Sequence, residues 1–67
     1  MKVSLDPKKI VAARKALGLT QQQVADLAGM KQQNYARIES GKQTDPRIST
    51  ARRIAKSLQT TIEAICD

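Results

Sequence analysis

The sequence contains no histidine, phenylalanine or tryptophan, and only one tyrosine and one cysteine among its 67 residues. Without histidine, the chain lacks the side chain that enzymes most often use as a general base or metal ligand. Its six acidic residues are scattered singly, and it has no glycine-rich phosphate loop. We therefore expect a protein that is not an enzyme, with no catalytic residues, metal site or cofactor.

Other kinds of segment are also missing from the sequence. Cys66 is the only cysteine, so no disulfide forms within the chain, which is typical of a reducing cytoplasm. No apolar run approaches the roughly 20 residues of a membrane-spanning helix, and no signal peptide is recognisable. We expect a cytoplasmic protein without a membrane partner, folded as one domain over residues 1–67.

Positive charge is what the sequence has in excess. Twelve Lys and Arg against six Asp and Glu give a net charge of +6. This bias favours a polyanionic partner, first a nucleic acid, then an anionic membrane surface, then an acidic protein. A merely soluble basic surface explains the charge equally well. Because aromatic side chains commonly stack on unpaired bases, their near absence disfavours RNA as the partner.

Five short stretches carry apolar residues at helical spacing, each bounded by capping or turn residues. The predicted helices run from Asp6-Pro7 to Gly18, from Thr20 to Gly29, and over about residues 32–40, 49–58 and 62–66. Gln23 completes a capping box in the second helix, whose apolar face is expected to hold Val24, Leu27 and Ala28. Residues 1–5 are interpreted as a short lead-in. The sequence thus predicts an all-α fold.

The second and third predicted helices are joined by a tight glycine turn, as in a helix-turn-helix unit. In such units the second helix of the pair lies in the DNA major groove. At about 100° per residue, Tyr35 and Ile38 fall on one side of the third helix, and Gln33 and Arg37 on the other. An amide matches adenine N6 and N7, and a guanidinium matches guanine O6 and N7. The alternative is that these side chains only solvate an exposed helix.

Other polar residues suit DNA phosphates, which add affinity without sequence information. Gln21 and Gln22 belong to the first turn of the second helix, where free amides lie at the positive end of the dipole. Lys31 stands where an oxygen-bearing cap is preferred, and a nearby phosphate would offset its charge there. A solvated connector is the competing interpretation of the loop after the third helix. That loop supplies Lys42, Gln43, Thr44 and Arg47.

The stretch LTQQQVADLAGMKQQNYARIESGK, followed later by RIAKSL, resembles the Cro/phage-repressor (XRE-type) helix-turn-helix family. The resemblance covers about residues 10–65. It implies a lambda-repressor-like domain of five helices, with the helix-turn-helix formed by helices 2 and 3. It also implies base reading by Gln32, Gln33 and Arg37, phosphate binding and buttressing by Gln21, and a backbone contact by Asn34.

The same resemblance implies a salt bridge between Arg14 and Glu39, for which two separate exposed charges are the alternative. Three positions depart from the family pattern. Lys31 replaces a small capping residue, and Gln59 stands where glycine is common after helix 4. Tyr35 replaces a β-branched residue, with a ring that fills the core and a hydroxyl that can reach water or phosphate.

Family members usually bind DNA as dimers. In this chain the candidate dimer surface is Leu58, Ile62, Ile65 and Cys66, and closure of the protomer core is an equal alternative. The resemblance implies a small bacterial or phage transcriptional regulator, most simply a repressor. It would bind an inverted-repeat operator as a homodimer and be nucleoid-associated when bound. The alternative is an antitoxin-type module that binds DNA secondarily, and the protein partner would then be a toxin or an anti-repressor.

Overall fold

Capping and turn residues set the boundaries of five helices in the computed structural model, which describes residues 3–67. The helices are α1 (Pro7–Ala16), α2 (Gln21–Leu27), α3 (Gln32–Glu39), α4 (Ile48–Ser57) and α5 (Ile62–Ile65). This architecture confirms the predicted all-α fold, and each helix lies within about two residues of its predicted bounds. Met1 and Lys2, which belong to the predicted lead-in, lie outside the described residues.

Side-chain caps begin α1 and α2. The Asp6 carboxylate accepts a hydrogen bond from the Lys8 amide at 2.9 Å, and Pro7 occupies the first turn of α1. In α2 the Thr20 hydroxyl accepts from the Gln23 amide at 3.1 Å, and the Gln23 side chain accepts from the Thr20 amide at 2.8 Å. These reciprocal bonds form the predicted capping box and fix where α2 starts.

Residues in the left-handed backbone conformation follow α2 and α4. Gly29 has a φ of +67°, and Met30 donates its amide to the Ala25 carbonyl at 2.9 Å, which turns the chain from α2 into α3. Gln59 adopts a φ of +57° after α4, at the position where the family commonly has glycine. Because glycine adopts this conformation without a Cβ clash, Gln59 carries a local conformational cost.

The core lies around α2, which packs against both α3 and α4; α1 packs against α3, and α5 closes the core against α1 and α4. Its large side chains are buried aliphatic residues together with the single tyrosine. They are Leu5, Ile10, Val24, Tyr35, Ile38, Ile54, Leu58 and Ile65. Leu27 was predicted on the apolar face of α2, and this prediction was wrong, since its side chain is 66% exposed.

The segment before α1 is part of the fold rather than a lead-in. Leu5 is 2% exposed, and its amide donates to the Thr44 carbonyl at 2.7 Å. The Asp6 amide donates to the Ile65 carbonyl at 2.9 Å, and the Asp67 amide donates to the Ser4 carbonyl at 2.9 Å. The segment therefore ties the loop between α3 and α4 to the C-terminal end of the chain.

Candidate nucleic-acid interface

α3 has one buried face and one polar exposed face. Tyr35 is fully buried and Ile38 is 2% exposed, so they hold the inner face against the core. Gln33, Asn34 and Arg37 are exposed. This is the division that helical spacing predicted, and it leaves an amide and a guanidinium directed away from the core. Both groups retain donors for an external partner.

Gln32 differs from its neighbour because it is half-buried and its amide is held from behind. Its Nε2 donates to Gln21 Oε1 at 3.2 Å, and Gln21 Nε2 donates to Glu39 Oε1 at 3.0 Å. A Gln amide has two donor hydrogens and one acceptor oxygen. Gln32 therefore retains one N–H and its Oε1 for an external contact, in an orientation that Gln21 restricts.

The relay from Gln32 through Gln21 ends on an ion pair between α1 and α3. Arg14 Nε lies 2.6 Å from Glu39 Oε2, and Arg14 Nη2 donates to Glu39 Oε1 at 3.1 Å. Arg14 Nη1 also donates to the Leu19 carbonyl at 2.9 Å, in the connection between α1 and α2. The two side chains are only 15% and 5% exposed, so the structure pairs residues that could have been separate surface charges.

Hydrogen bonding governs the protonation of this cluster. Burial by itself would raise the pKa of Glu39, but hydrogen bonds from Arg14 and Gln21 more than offset it, so the pKa lies below its ordinary value. The bond to Glu39 raises the pKa of Arg14 above its ordinary value. The pair is therefore fully charged near neutral pH and holds α1, α2 and α3 in one arrangement.

The Tyr35 hydroxyl is enclosed beside this ion pair. Tyr35 is fully buried, and its hydroxyl has no hydrogen-bond partner of standard geometry among the described residues. Burial, together with the nearby Glu39 carboxylate, raises the pKa of Tyr35 above its ordinary value. The ring fills the core as predicted, but the expectation that the hydroxyl reaches water or phosphate was wrong because no path to the surface is open to it.

The loop between α3 and α4 presents three of its four predicted phosphate ligands fully to solvent. Lys42, Gln43 and Arg47 are exposed, whereas Thr44 is half-buried. The amides of Lys42 and Gln43 both donate to the Arg37 carbonyl, at 3.0 and 3.2 Å. The loop is thus fastened to the C-terminal end of α3, which places Lys42 and Gln43 next to that end of the helix.

The N-terminal ends of α2 and α3 hold the remaining predicted phosphate residues. Lys31 is exposed and is the N-cap of α3, where no side-chain capping bond forms. Gln22 is exposed, and its side-chain Nε2 donates to Asp26 Oδ1, one turn later, at 2.8 Å. Gln21 uses one N–H and its Oε1 within the relay, which matches the buttressing half of its implied role.

The structure places the candidate dimer residues unequally. Leu58 is 3% exposed and Ile65 is fully buried, so these two close the protomer core and cannot form a dimer surface. Ile62 and Cys66 are half-buried against the same core and retain some exposed surface. Of the two interpretations, core closure therefore applies to Leu58 and Ile65.

Sequence patterns missed how the interface is supported. Leu5 gave an apolar signal, but its contact with the α3–α4 loop depends on distant residues that no local spacing reveals.

None of the helices in the described part of the chain has the length or apolar character needed to cross a membrane.

Comparison with known proteins identifies the fold and family. A family model described as helix-turn-helix matches residues 10–65. An uncharacterised HTH-type transcriptional regulator of Haemophilus influenzae is 36% identical over 58 residues, which are 87% of this chain and 58% of that protein. The chain thus spans little more than half the length of this curated relative.

Three solved structures share the fold at 21–24% identity. The restriction-modification controller protein C.AhdI of Aeromonas hydrophila matches with a TM-score of 0.81, over 87% of this chain and 86% of that one. The biofilm master regulator SinR, crystallised with DNA, matches at 0.80 over 85% and 90%. Hydroxyethylphosphonate dioxygenase matches at 0.79, over 96% of this chain but 14% of its own.

The dioxygenase likeness shows that this fold also occurs as a small part of a larger enzyme, so fold alone does not define a whole protein's activity. The family match extends from α1 to α5 and includes α2, the Gly29 turn and α3. The chain belongs to the helix-turn-helix family of the XRE, or phage-repressor, type.

Proposed function

We propose that this protein is a transcriptional regulator that binds specific double-stranded DNA sequences through α3. The observation that carries the proposal is the exposed polar face of that helix, which holds Gln33 and Arg37 and adjoins a Gln32 amide bonded to Gln21. The family match and the HTH-type regulator of Haemophilus influenzae support it. The net charge of +6 suits a polyanionic partner.

Each exposed group on α3 has a complementary base edge in the major groove. Gln32 offers one N–H and one oxygen, the pair that adenine N6 and N7 require. Arg37 offers the paired donors that guanine O6 and N7 accept. Gln33, with neither end of its amide engaged by a hydrogen bond within the described residues, adds a second amide reader. Because Gln21 restricts Gln32 before DNA binds, less side-chain freedom is lost on binding.

Phosphate contacts around this face supply affinity and position. Lys31 and Asn34 lie at the N-terminal end of α3, and Lys42, Gln43 and Arg47 lie on the loop beyond its C-terminal end. Placed at both ends of the reading helix, they would contact the backbone on either side of the groove. Gln22, in the first turn of α2, is added to the first set of contacts. Thr44, half-buried in the α3–α4 loop, is added to the second.

We propose that the protein acts as a homodimer on an inverted repeat. A single module of this size buries only about 600–1,000 Å² on DNA, which is little for a specific site. Two copies related by a twofold axis would read half-sites about 34 Å apart. The exposed parts of Ile62 and Cys66 are the surface proposed for contact between copies. A dimer bound to such a site within a promoter would block other proteins from that DNA, so repression is the simplest outcome.

The change Gln33→Ala tests the reading role of α3. On the preferred sequence we expect a loss of about 1–3 kcal/mol, or about 5- to 150-fold in affinity, with a relaxed preference at one base pair. Gln43→Ala is the matched control, because the same truncation at a phosphate position should weaken all duplexes equally. Fluorescence anisotropy titrations against the preferred duplex and its single-pair variants measure both. An equal loss on every duplex for Gln33→Ala would contradict the proposal.

A further inference from the structure

A groove borders the candidate interface between α3 and α4. Its lining runs from the α2–α3 turn across α3 and the α3–α4 loop to the first half of α4. Apolar and polar residues share the lining, and no carboxylate is among the described residues that line it. The polar and charged side chains of the lining are Asn34, Gln43, Arg47, Thr50 and Arg53.

Three of these five residues were assigned to phosphates on separate grounds. Asn34 was implied by the family resemblance, and Gln43 and Arg47 by the composition of the loop. The fold brings all three to one groove, although they lie on two different elements. Phosphate ligands chosen on two independent grounds therefore meet at one groove, which includes Asn34 and Ile38 of α3.

Arg53 is the charged member of this groove that sequence reasoning did not select. Arg47, the N-cap of α4, lines the groove together with Thr50 and Arg53, which follow it at a spacing of three residues. The rise of 1.5 Å per residue puts Arg53 about 9 Å beyond Arg47 along the helix axis, which lets the two guanidinium groups reach different phosphates. Arg53 is exposed, as a phosphate ligand must be.

We propose that Arg53 binds a phosphate of the DNA backbone and extends the phosphate-contacting surface from the α3–α4 loop onto α4. The inference rests on the proposed DNA-binding function. A guanidinium presents several N–H donors in a plane and can bind two phosphate oxygens at once. No carboxylate among the described lining residues competes with a phosphate for the guanidinium.

The variants Arg53→Ala and Arg52→Ala test the proposal. Arg52 is the matched control, because it is an exposed arginine on the same helix that lines a different groove, beside Ile62. Binding is measured on duplex DNA by anisotropy at several salt concentrations from about 50 to 200 mM. Each phosphate contact contributes about 0.9 to the slope of log affinity against log salt.

For Arg53→Ala we expect that slope to fall by about 0.9, so the affinity loss at 50 mM salt exceeds the loss at 200 mM by about 3.5-fold. The loss should be equal on preferred and scrambled duplexes. Arg52→Ala should retain the slope of the unmodified protein, and Arg53→Lys should restore most of what Arg53→Ala loses. Helical circular dichroism confirms that each variant is folded.

The possible failures are distinguishable. If Arg53→Ala and Arg52→Ala have the same slope as the unmodified protein, the Arg53 contact is overturned while sequence-specific binding stands. If the unmodified protein binds all duplexes alike, the proposed function fails, yet a lower slope for Arg53→Ala on those duplexes still supports the phosphate contact. A change of preference at one base pair in Arg53→Ala would also overturn the inference, because a phosphate ligand carries no sequence information.

Discussion

Replacing Arg14 by methionine probes the ion pair behind the candidate interface. Methionine retains most of the aliphatic length of arginine but removes all of its donors. The Glu39 carboxylate, 5% exposed, then loses the bonds from Arg14 Nε at 2.6 Å and Arg14 Nη2 at 3.1 Å. It retains the bond from Gln21, so one charged group is left buried with a single neutral donor.

The expected cost follows from these contacts. Breaking a buried ion pair by removing one partner costs about 3–5 kcal/mol, and a hydrogen bond to a charged group contributes about 1.5–3 kcal/mol. Because the Arg14 side chain is 15% exposed and water can partly replace it, we expect a loss of about 2–4 kcal/mol in the free energy of unfolding. A chain of this length has a total of about 3–10 kcal/mol.

The loss in the free energy of unfolding caused by Arg14→Met should depend on pH. The folded-state pKa of Glu39 is below its ordinary value of 4.5, so the pair's contribution is complete above that value and disappears as pH falls through the folded-state pKa. In the Arg14→Met protein the Arg14 donors that lower this pKa are gone, whereas the Gln21 bond, which lowers it, and burial, which raises it, remain. The stability difference between the two proteins should therefore be largest near pH 7 and shrink below about pH 4.5.

Urea unfolding followed by helical circular dichroism at several pH values measures this effect. Lys15→Met is the matched control, since Lys15 is an exposed cation on the same helix. A loss for Arg14→Met no larger than that of the control, within about 0.5 kcal/mol, would refute the reasoning. A loss that stayed constant down to pH 3 would also refute it, by showing that the carboxylate charge is not the cause.

Two further substitutions test neighbouring claims. Lys42→Ala should weaken binding to all duplexes roughly equally and lower the salt slope by about 1, because Lys42 is proposed to contact a phosphate; anisotropy titrations that return an unchanged slope would remove it from the contact set. Tyr35→Phe should lower the free energy of unfolding by less than about 1 kcal/mol or raise it, because the buried hydroxyl makes no hydrogen bond of standard geometry. A destabilisation of 2 kcal/mol or more in urea unfolding, on the order of a lost charged hydrogen bond, would show that the hydroxyl has a partner.

Local sequence signals accounted for the helices but not for their surroundings. Thr20, Gln23 and Gly29 act on residues three to five positions away, so their pattern predicts where α2 starts and ends. Leu27 has the spacing of a core residue but lies on the margin of the apolar face, where no other element covers it. Which neighbour covers a face is decided by the whole fold, and helical period alone does not contain that information.

The candidate site was predictable to a similar extent. Spacing separated the exposed Gln33 and Arg37 from the buried Tyr35 and Ile38. The link from Gln32 through Gln21 to Glu39 joins residues 11 and 18 positions apart, so it depends on how α2 and α3 pack. Likewise, nothing in the local sequence around Arg53 shows that it shares a groove with Asn34. Such long-range proximity requires the three-dimensional structure.

Selection of bound sequences from a random duplex DNA pool, at roughly physiological salt, tests the central claim most directly. If α3 reads base edges and two copies bind together, the selected pool should contain an inverted repeat with half-sites about one helical turn apart. The same selection with Gln33→Ala should lose the preference at one position of each half-site. A pool without any enriched sequence, bound only in a salt-sensitive manner, would contradict the account of α3 as a sequence-reading helix.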